Sequence, residues 1–166
     1  MDKQYTFEDY RAIVAALRSE EGCPWDRAQT HESLKPYMIN EMAEAVAAVN
    51  ILSETGDSEN LCEELGDLLL LILLQSQMAR EEGLFSVEDV IQKAAEKMIR
   101  RHPHVFPDEN GKKGVPDWDA IKEREHAGES PQRLAYGKEA EKKAAEEMCM
   151  HLGMKYSLNF GKFLDK

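Results

Sequence analysis

Cysteine is scarce in this chain of 166 residues, and long apolar segments are missing. Its three cysteines, Cys23, Cys62 and Cys149, are widely spaced and form no Cys-x-x-Cys pair, which predicts reduced thiols and a cytoplasmic location. The start of the chain has no apolar signal region, and the longest apolar run, Leu68 to Leu74, is too short to span a bilayer. We therefore expect neither export nor a membrane partner.

Positive charge is scarce as well. The chain has 21 basic and 32 acidic residues, a formal net charge of −11, which repels the phosphate backbone of DNA or RNA. A nucleic-acid polymer is therefore not expected as a partner, whereas a free nucleotide delivered with a metal ion is compatible. Neither a Gly-rich phosphate loop nor a useful length of strand periodicity is present, and helical periodicity predicts an all-α fold.

Two predicted helices between Ser33 and Ala79 carry acidic residues within their apolar faces. In the first helix, Glu41 lies in the inward seam and Glu44 projects beside it, one turn away. In the second helix, Glu64 lies in the apolar stripe and Asp67 follows three residues later. The seam consists of Leu34, Met38, Glu41, Ala45, Ala48 and Leu52, and the stripe of Leu61, Glu64, Leu68, Leu71 and Gln75. We therefore expect four carboxylates to converge on a largely apolar interior.

Buried carboxylates need a partner, because an isolated buried anion is very costly. No lysine or arginine lies between Tyr37 and Met78. A hard divalent cation, Mg²⁺ with Mn²⁺ as a substitute, is therefore the expected partner of the four acidic residues. The alternative is that both acidic pairs face solvent on ordinary amphipathic helices, but two pairs that each lie inside a seam favour the metal site.

The second acidic helix also predicts an oligomer. Residues Leu68 to Leu74 are apolar on every face, so this helix must be covered all round. A short chain of about four helices has little material for that, which favours a homodimer in which the helix packs on its own copy, with a tetramer left open. The alternative is that the N-terminal helix and the first acidic helix cover it within one chain.

The one dense basic patch ends a third predicted helix, from about Val87 to Arg101. Lys97, Arg100 and Arg101 lie in its last turns and form either a solvated helix cap or a polyphosphate-binding site. The inward residues of this helix are predicted to be Val90, Ile91, Ala94 and Met98. His102 and His104 follow, but no third ligand is evident, so we expect no zinc site there.

Two further segments complete the description. Trp25 lies in a predicted loop from Cys23 to Asp26, where it either plugs the end of the bundle or stacks on a base. After Gly128 the composition becomes polar, which predicts a domain over 1–127 and a C-terminal extension over 128–166. That extension contains a predicted final helix closed by Gly153, and the segment from Lys155 onwards is interpreted as an appendage.

Five segments, in this order, resemble the MazG nucleoside triphosphate pyrophosphohydrolases. They are Gly22-Cys23-Pro24-Trp25-Asp26, Gln29-Thr30-His31, Glu41-x-x-Glu44, Glu63-Glu64-Leu65-Gly66-Asp67, and the run from Lys97 to Phe106. The resemblance covers about residues 7 to 126 and not the tail. It implies a helical bundle of the all-α NTP pyrophosphatase type, with a core completed by dimerisation. It also implies Mg²⁺-dependent hydrolysis of a nucleoside triphosphate to the monophosphate and pyrophosphate.

The resemblance also implies roles for particular residues. The family's two acidic pairs fall on the four carboxylates, Glu41 with Glu44 and Glu64 with Asp67, as catalytic and metal-binding residues. From charge, Lys97, Arg100 or Arg101 are then expected to stabilise the β- and γ-phosphates, while Trp25 either stacks on the base or packs against the protein. Asn40 departs from the family motif, which usually has a glutamate there. An amide can orient a water but cannot act as a general base near neutral pH, so Glu63 is an alternative base.

Two other function classes remain as alternatives to the enzyme. A carboxylate-bridged di-iron bundle needs a Glu-x-x-His on each of two helices, and the spacing occurs here at Glu123 and His126, outside the acidic helices. A catalytically weakened module would bind nucleotides or a partner without turnover, because of Asn40. Binding without product would distinguish this module from the enzyme, which the two acidic pairs favour.

Overall fold

The computed structural model describes residues 3–115, 117–125 and 127–156. In these residues the chain forms seven α-helices and no strand, so the predicted all-α fold is confirmed. The helices are α1 (Phe7–Arg18), α2 (Pro24–Ala28), α3 (Lys35–Thr55), α4 (Glu59–Glu81), α5 (Val87–Arg101), α6 (Trp118–Glu125) and α7 (Pro131–Tyr156). None of the described helices has the length and apolar character needed to cross a membrane.

The described residues group into two compact units. The first unit contains residues 3–87 together with 148–156, and the second contains residues 88–147. Helices α1 to α4 and the last residues of α7 therefore belong to the first unit, while α6 and nearly all of α5 belong to the second. The domain boundary at residue 127 stays a prediction. His126 and the predicted appendage beyond Tyr156 lie outside the described residues.

Local sequence signals set the ends of the helices in the first unit. At the start of α1, Thr6 Oγ1 accepts a hydrogen bond from Asp9 N at 3.2 Å, and Thr6 N donates to Asp9 Oδ2 at 2.9 Å. This capping box satisfies donors that would otherwise lack a helical partner. Helix α3 ends at Gly56, whose φ of 77° is the left-handed conformation that glycine adopts readily. Three residues, Gly56 to Ser58, then connect α3 to α4, so the two helices run antiparallel.

The core of the first unit lies between α1, the start of α3 and α4. Its buried residues are Val14, Leu34, Leu71, Leu73, Leu74, Met78 and Val87. Most of the apolar run of α4 is thus covered within one chain. This agrees with the alternative prediction, in which the N-terminal helix and the first acidic helix cover it. Ile72 remains exposed, however, so α1 and α3 leave one side of α4 open.

Four local predictions were wrong. The predicted loop around Trp25 is instead the short helix α2, which begins at Pro24, and α7 continues past Gly153 to Tyr156. Met38 is more exposed than its place in the seam of α3 predicts, although its Sδ accepts a hydrogen bond from Gln75 Nε2 of α4 at 3.6 Å. The predicted inward face of α5 is exposed as well. The residue of that helix that the structure buries is Val87, in its first turn.

Replacing a core leucine at the start of α3 should strongly destabilise the chain. Leu34 is completely buried, so Leu34→Ala leaves a cavity and should lower the free energy of unfolding by about 2–5 kcal/mol in urea titrations. Leu84→Ala is the matched control, since Leu84 is 64% exposed and the same change there should cost less than about 0.5 kcal/mol. Equal losses for the two variants would contradict the described core.

Candidate active site

Helices α3 and α4 bring three acidic side chains together. Glu41 from α3 and Glu64 and Asp67 from α4 each offer a carboxylate oxygen, and these oxygens lie within 4.8 Å of one another. Glu64 is only 9% exposed, while Glu41 and Asp67 are half-buried. Three of the four predicted metal ligands therefore converge, although they lie far apart in sequence. We call these three residues the acidic cluster.

Burial and mutual repulsion make the negative charges of the acidic cluster unfavourable. Burial raises the pKa of the Glu41 carboxyl above its usual value, and the nearby charges of Glu44, Asp67 and Glu64 raise it further. Glu64 has one neutral partner, since Asn60 Nδ2 donates to Glu64 Oε1 at 3.0 Å. A neutral donor satisfies one oxygen but does not compensate the repulsion. The arrangement therefore favours a cation near Glu41.

Glu44, the fourth predicted ligand, lies one turn along α3 and has a different partner. Lys155 Nζ of α7 donates to Glu44 Oε1 at 2.9 Å. The absence of lysine and arginine between Tyr37 and Met78 therefore does not leave this carboxylate without a cation. Four residues earlier on each helix, the Nε2–H of His151 donates to Asn40 Oδ1 at 3.1 Å.

Sequence reasoning missed Lys155 and His151. Both lie 111 residues from their partners, in the predicted C-terminal extension. Helical periodicity could show that the two residues share one face of α7, but no local signal indicates which helix that face contacts. Lys155 was assigned to an appendage, whereas it belongs to α7 and contacts the site.

The basic patch lies in the second unit, and its two arginines form ion pairs with Glu125. Glu125 Oε1 accepts a hydrogen bond from Arg100 Nη2 and Glu125 Oε2 accepts one from Arg101 Nη2, both at 2.6 Å. The two guanidinium groups, Arg101 first, lower the pKa of Glu125 to about 2. Lys97 is exposed one turn earlier on α5. The patch is thus partly neutralised, and its role toward phosphate stays a prediction.

The remaining predicted site residues are on the surface of the first unit. Trp25 is 50% exposed and lies edge-on to the Tyr37 ring, with ring centroids 5.6 Å apart. Its indole is therefore not a fully buried plug, and part of it is accessible for stacking. Glu63 is exposed on α4, and Asn40 is half-buried beside His151.

One predicted motif has a structural role. His31 of the Gln29–His31 segment forms a hydrogen bond through Nδ1 with Gln75 Oε1 of α4. Gln75 Nε2 also donates to the backbone oxygen of His31 at 3.3 Å. These two bonds fix the segment before α3 against α4, and so help to set the position of the helix that carries Glu41.

Comparison with known proteins identifies the domain that contains this site. The family model described as the MazG nucleotide pyrophosphohydrolase domain matches residues 29–106. Residues 29–106 are therefore similar to MazG domains. The match includes the acidic cluster, Glu44 and the basic patch, whereas Trp25, His151 and Lys155 lie outside it.

Curated relatives agree with this assignment. The chain is 48% identical over 128 residues to a Thermotoga maritima protein named nucleoside triphosphate pyrophosphohydrolase/pyrophosphatase MazG, a match that covers 77% of this chain and 48% of that protein. It is 40% identical over 119 residues to the nucleoside triphosphate pyrophosphohydrolase of Escherichia coli strain K12, which covers 69% of this chain and 44% of the relative. The chain thus spans less than half the length of these two relatives.

Removing the charge of Glu41 should stabilise the folded chain at neutral pH when no metal ion is added. The pKa of Glu41 is raised on folding, so the folded state loses stability as the pH rises from about 4.5 through the folded pKa. Glu41→Gln should therefore have a larger free energy of unfolding than the parent chain at pH 7 in EDTA. This advantage should largely disappear by about pH 4, where most of the carboxyl is protonated in both states.

Urea titrations at the two pH values measure this difference. Glu139→Gln, which neutralises an exposed glutamate of α7, is the matched control and should change stability little at either pH. A loss of stability for Glu41→Gln at neutral pH would contradict the described repulsion.

Proposed function

We propose that the chain hydrolyses nucleoside triphosphates to the monophosphate and pyrophosphate, with Mg²⁺, or Mn²⁺ as a substitute, bound by Glu41, Glu44, Glu64 and Asp67. The observation that carries the proposal is the approach of three carboxylates to within 4.8 Å inside a MazG domain. The names of the relatives from T. maritima and E. coli support the same reaction. A triphosphate is itself an anion, so a site of this composition needs a cation to accept it.

The acidic cluster fits a hard divalent cation. Its donors are carboxylate oxygens from two neighbouring helices, the ligand type that Mg²⁺ and Mn²⁺ prefer. The raised pKa of Glu41 supports the fit, because a cation would compensate both the burial and the neighbouring negative charges that raise it. When bound, the ion supplies charge neutralisation on the phosphate oxygens and lowers the pKa of an attacking water.

In the proposed reaction, side chains of the protein position the triphosphate for attack by water. Water attacks the α-phosphorus, the bond to the oxygen bridging the α- and β-phosphates breaks, and pyrophosphate leaves with that oxygen. Lys97, Arg100 and Arg101 stabilise the negative charge on the β- and γ-phosphates. Glu125 already orients the two guanidinium groups, so phosphate oxygens would compete with its carboxylate for them. Trp25 offers its accessible ring to the base.

Asn40 favours a second candidate function. The family motif usually has a glutamate at this position, and the Asn40 carbonyl here accepts a hydrogen bond from His151. An amide can orient a water but cannot take its proton, so Glu63, exposed on α4, is the proposed base. If Glu63 does not fill that role, the chain is a catalytically weakened module that binds nucleotides.

Product analysis tests the proposed reaction. The purified chain should convert members of a panel of ordinary and deoxy nucleoside triphosphates to monophosphate and pyrophosphate in Mg²⁺ and not in EDTA, because phosphate charge must be neutralised. Chromatography should separate these products from diphosphate and phosphate. Diphosphate and phosphate as products would contradict the proposal. No product from a folded chain that binds Mg²⁺ would support the binding module.

Glu41→Gln is the matched variant for this assay. It keeps the size of the side chain and removes one charged ligand, so turnover should fall by about 10²-fold or more while the helical circular dichroism is unchanged. Glu139→Gln should retain the parent rate. Full turnover by Glu41→Gln would remove Glu41 from the active site.

We further propose that the chain forms a homodimer, with a tetramer as the alternative. Met42, Val46 and Val49 are spaced by four and three residues on α3, and Leu65 and Ile72 lie seven apart on α4. All five are between 46% and 56% exposed. These two stripes, which we call the α3–α4 apolar face, lie on neighbouring helices of one unit. A second copy of the same face would cover both stripes.

A charge in the α3–α4 apolar face should therefore prevent dimer formation. Val46→Glu places a carboxylate where burial would desolvate it, so the mass measured by light scattering at micromolar concentration should fall to that of one chain. Val115→Glu is the matched control, because Val115 is exposed in a loop of the second unit, and it should keep the parent mass. A parent chain that is already monomeric would contradict the proposal.

The free cysteines of the chain are typical of a protein in a reducing compartment. Cys23, Cys62 and Cys149 are all free, and Cys62 is exposed. Disulfides persist mainly in oxidising compartments, so three unpaired thiols are more typical of an intracellular protein. We therefore propose a cytoplasmic location.

A further inference from the structure

The last turns of α7 contact α3 beside the acidic cluster. Lys155 Nζ lies 2.9 Å from Glu44 Oε1, and His151 Nε2 lies 3.1 Å from Asn40 Oδ1. The two residues of each helix are four apart, so each helix uses one face and the two contacts are one turn apart. Both helical segments belong to the same compact unit. This part of α7 lies outside the residues matched by the MazG domain model.

Lys155 is placed where it competes with a metal ion. Glu44 is one turn from Glu41 and acts electrostatically on it, so Glu44 lies at the edge of the acidic cluster. The oxygen that accepts from the Lys155 ammonium is a potential ligand oxygen, and an ammonium and a divalent cation repel each other at short range. The side chains of Lys155 and Glu44 are 34% and 43% exposed, and ion pairs of such exposure contribute little stability, so this pair can exchange.

We propose that Lys155 is an internal counter-ion that pairs with Glu44 while the site holds no divalent cation, and that binding of Mg²⁺ or Mn²⁺ releases it. The inference rests on the metal site of the proposed function. His151 keeps its bond to Asn40, which is not a proposed ligand, and so holds this face of α7 beside the site when the Lys155 ammonium moves away. The end of α7 therefore opposes metal binding and changes its contacts when metal binds.

Two measurements on the full chain test this competition. Isothermal titration with MgCl₂ should give a Kd roughly three- to tenfold lower for Lys155→Met than for the parent chain, because one repelling positive charge is removed. Lys155→Arg keeps the charge and should remain close to the parent. Lys143→Met is the matched control, since it removes a lysine that pairs with Glu147 within α7, and its Kd should be unchanged.

The second measurement needs no variant. An ammonium held by a carboxylate reacts slowly with an acylating reagent, so mass spectrometry should show Lys155 acylation rising several-fold on addition of Mg²⁺. Lys143 in the same chain is the internal control and should react at a constant rate. This measurement decides the question even if Lys155→Met fails to fold.

The outcomes separate this inference from the proposed hydrolysis. Tighter binding by Lys155→Met and faster acylation of Lys155, without any hydrolysis, would support the counter-ion and overturn the enzyme. Hydrolysis with equal or weaker Mg²⁺ binding by Lys155→Met, or with Lys155 acylation unchanged by Mg²⁺, would overturn the counter-ion alone. No binding of Mg²⁺ or Mn²⁺ to either chain would overturn both.

Discussion

The repulsion among the carboxylates of α3 and α4 is the constraint on which the site depends. Glu41, Glu64 and Asp67 approach to within 4.8 Å because the two helices are joined by a short turn and both bury apolar residues, Ala45 and Ala48 on α3 and leucines on α4. Burying one large apolar side chain contributes about 1.5–3 kcal/mol, so several such residues on the same helices can hold like charges together. The fold thereby keeps the ligands in place before any cation arrives, and a cation recovers the electrostatic cost.

The four acidic residues differ in how this cost is met. Glu64 is buried and has a neutral amide partner, whereas Glu44 is more exposed and pairs with Lys155. Glu41 is half-buried, and burial together with the neighbouring carboxylates raises its pKa. The site is therefore asymmetric, with a raised pKa at Glu41 and an ion pair with Lys155 at Glu44. A cation entering this site would relieve the burial and repulsion of Glu41 and would have to replace an existing partner at Glu44.

Local periodicity was enough to predict the long helices α3 and α4 and the convergence of three of their four acidic residues. The spacing of Glu41 and Glu64 within apolar stripes places them inward, and a turn at Gly56 makes the stripes face each other. Periodicity shows which residues share a face, but not what covers that face. Met38 and the apolar face of α5 were wrongly placed inside for this reason, and the contact of Lys155 with Glu44 depends on a helix more than a hundred residues away.

The proposed metal site and the proposed dimer involve the same two helices. Leu65 of the α3–α4 apolar face follows Glu64 directly, and Val46 lies two residues after Glu44. A second copy packed on this face would exclude water near the carboxylates and lower the local dielectric constant, which strengthens both their mutual repulsion and their attraction to a cation. Assembly would therefore increase the cost of the metal-free site and the affinity of the metal-bound one. The dimer and the cation would then stabilise each other, as linkage between two binding equilibria requires.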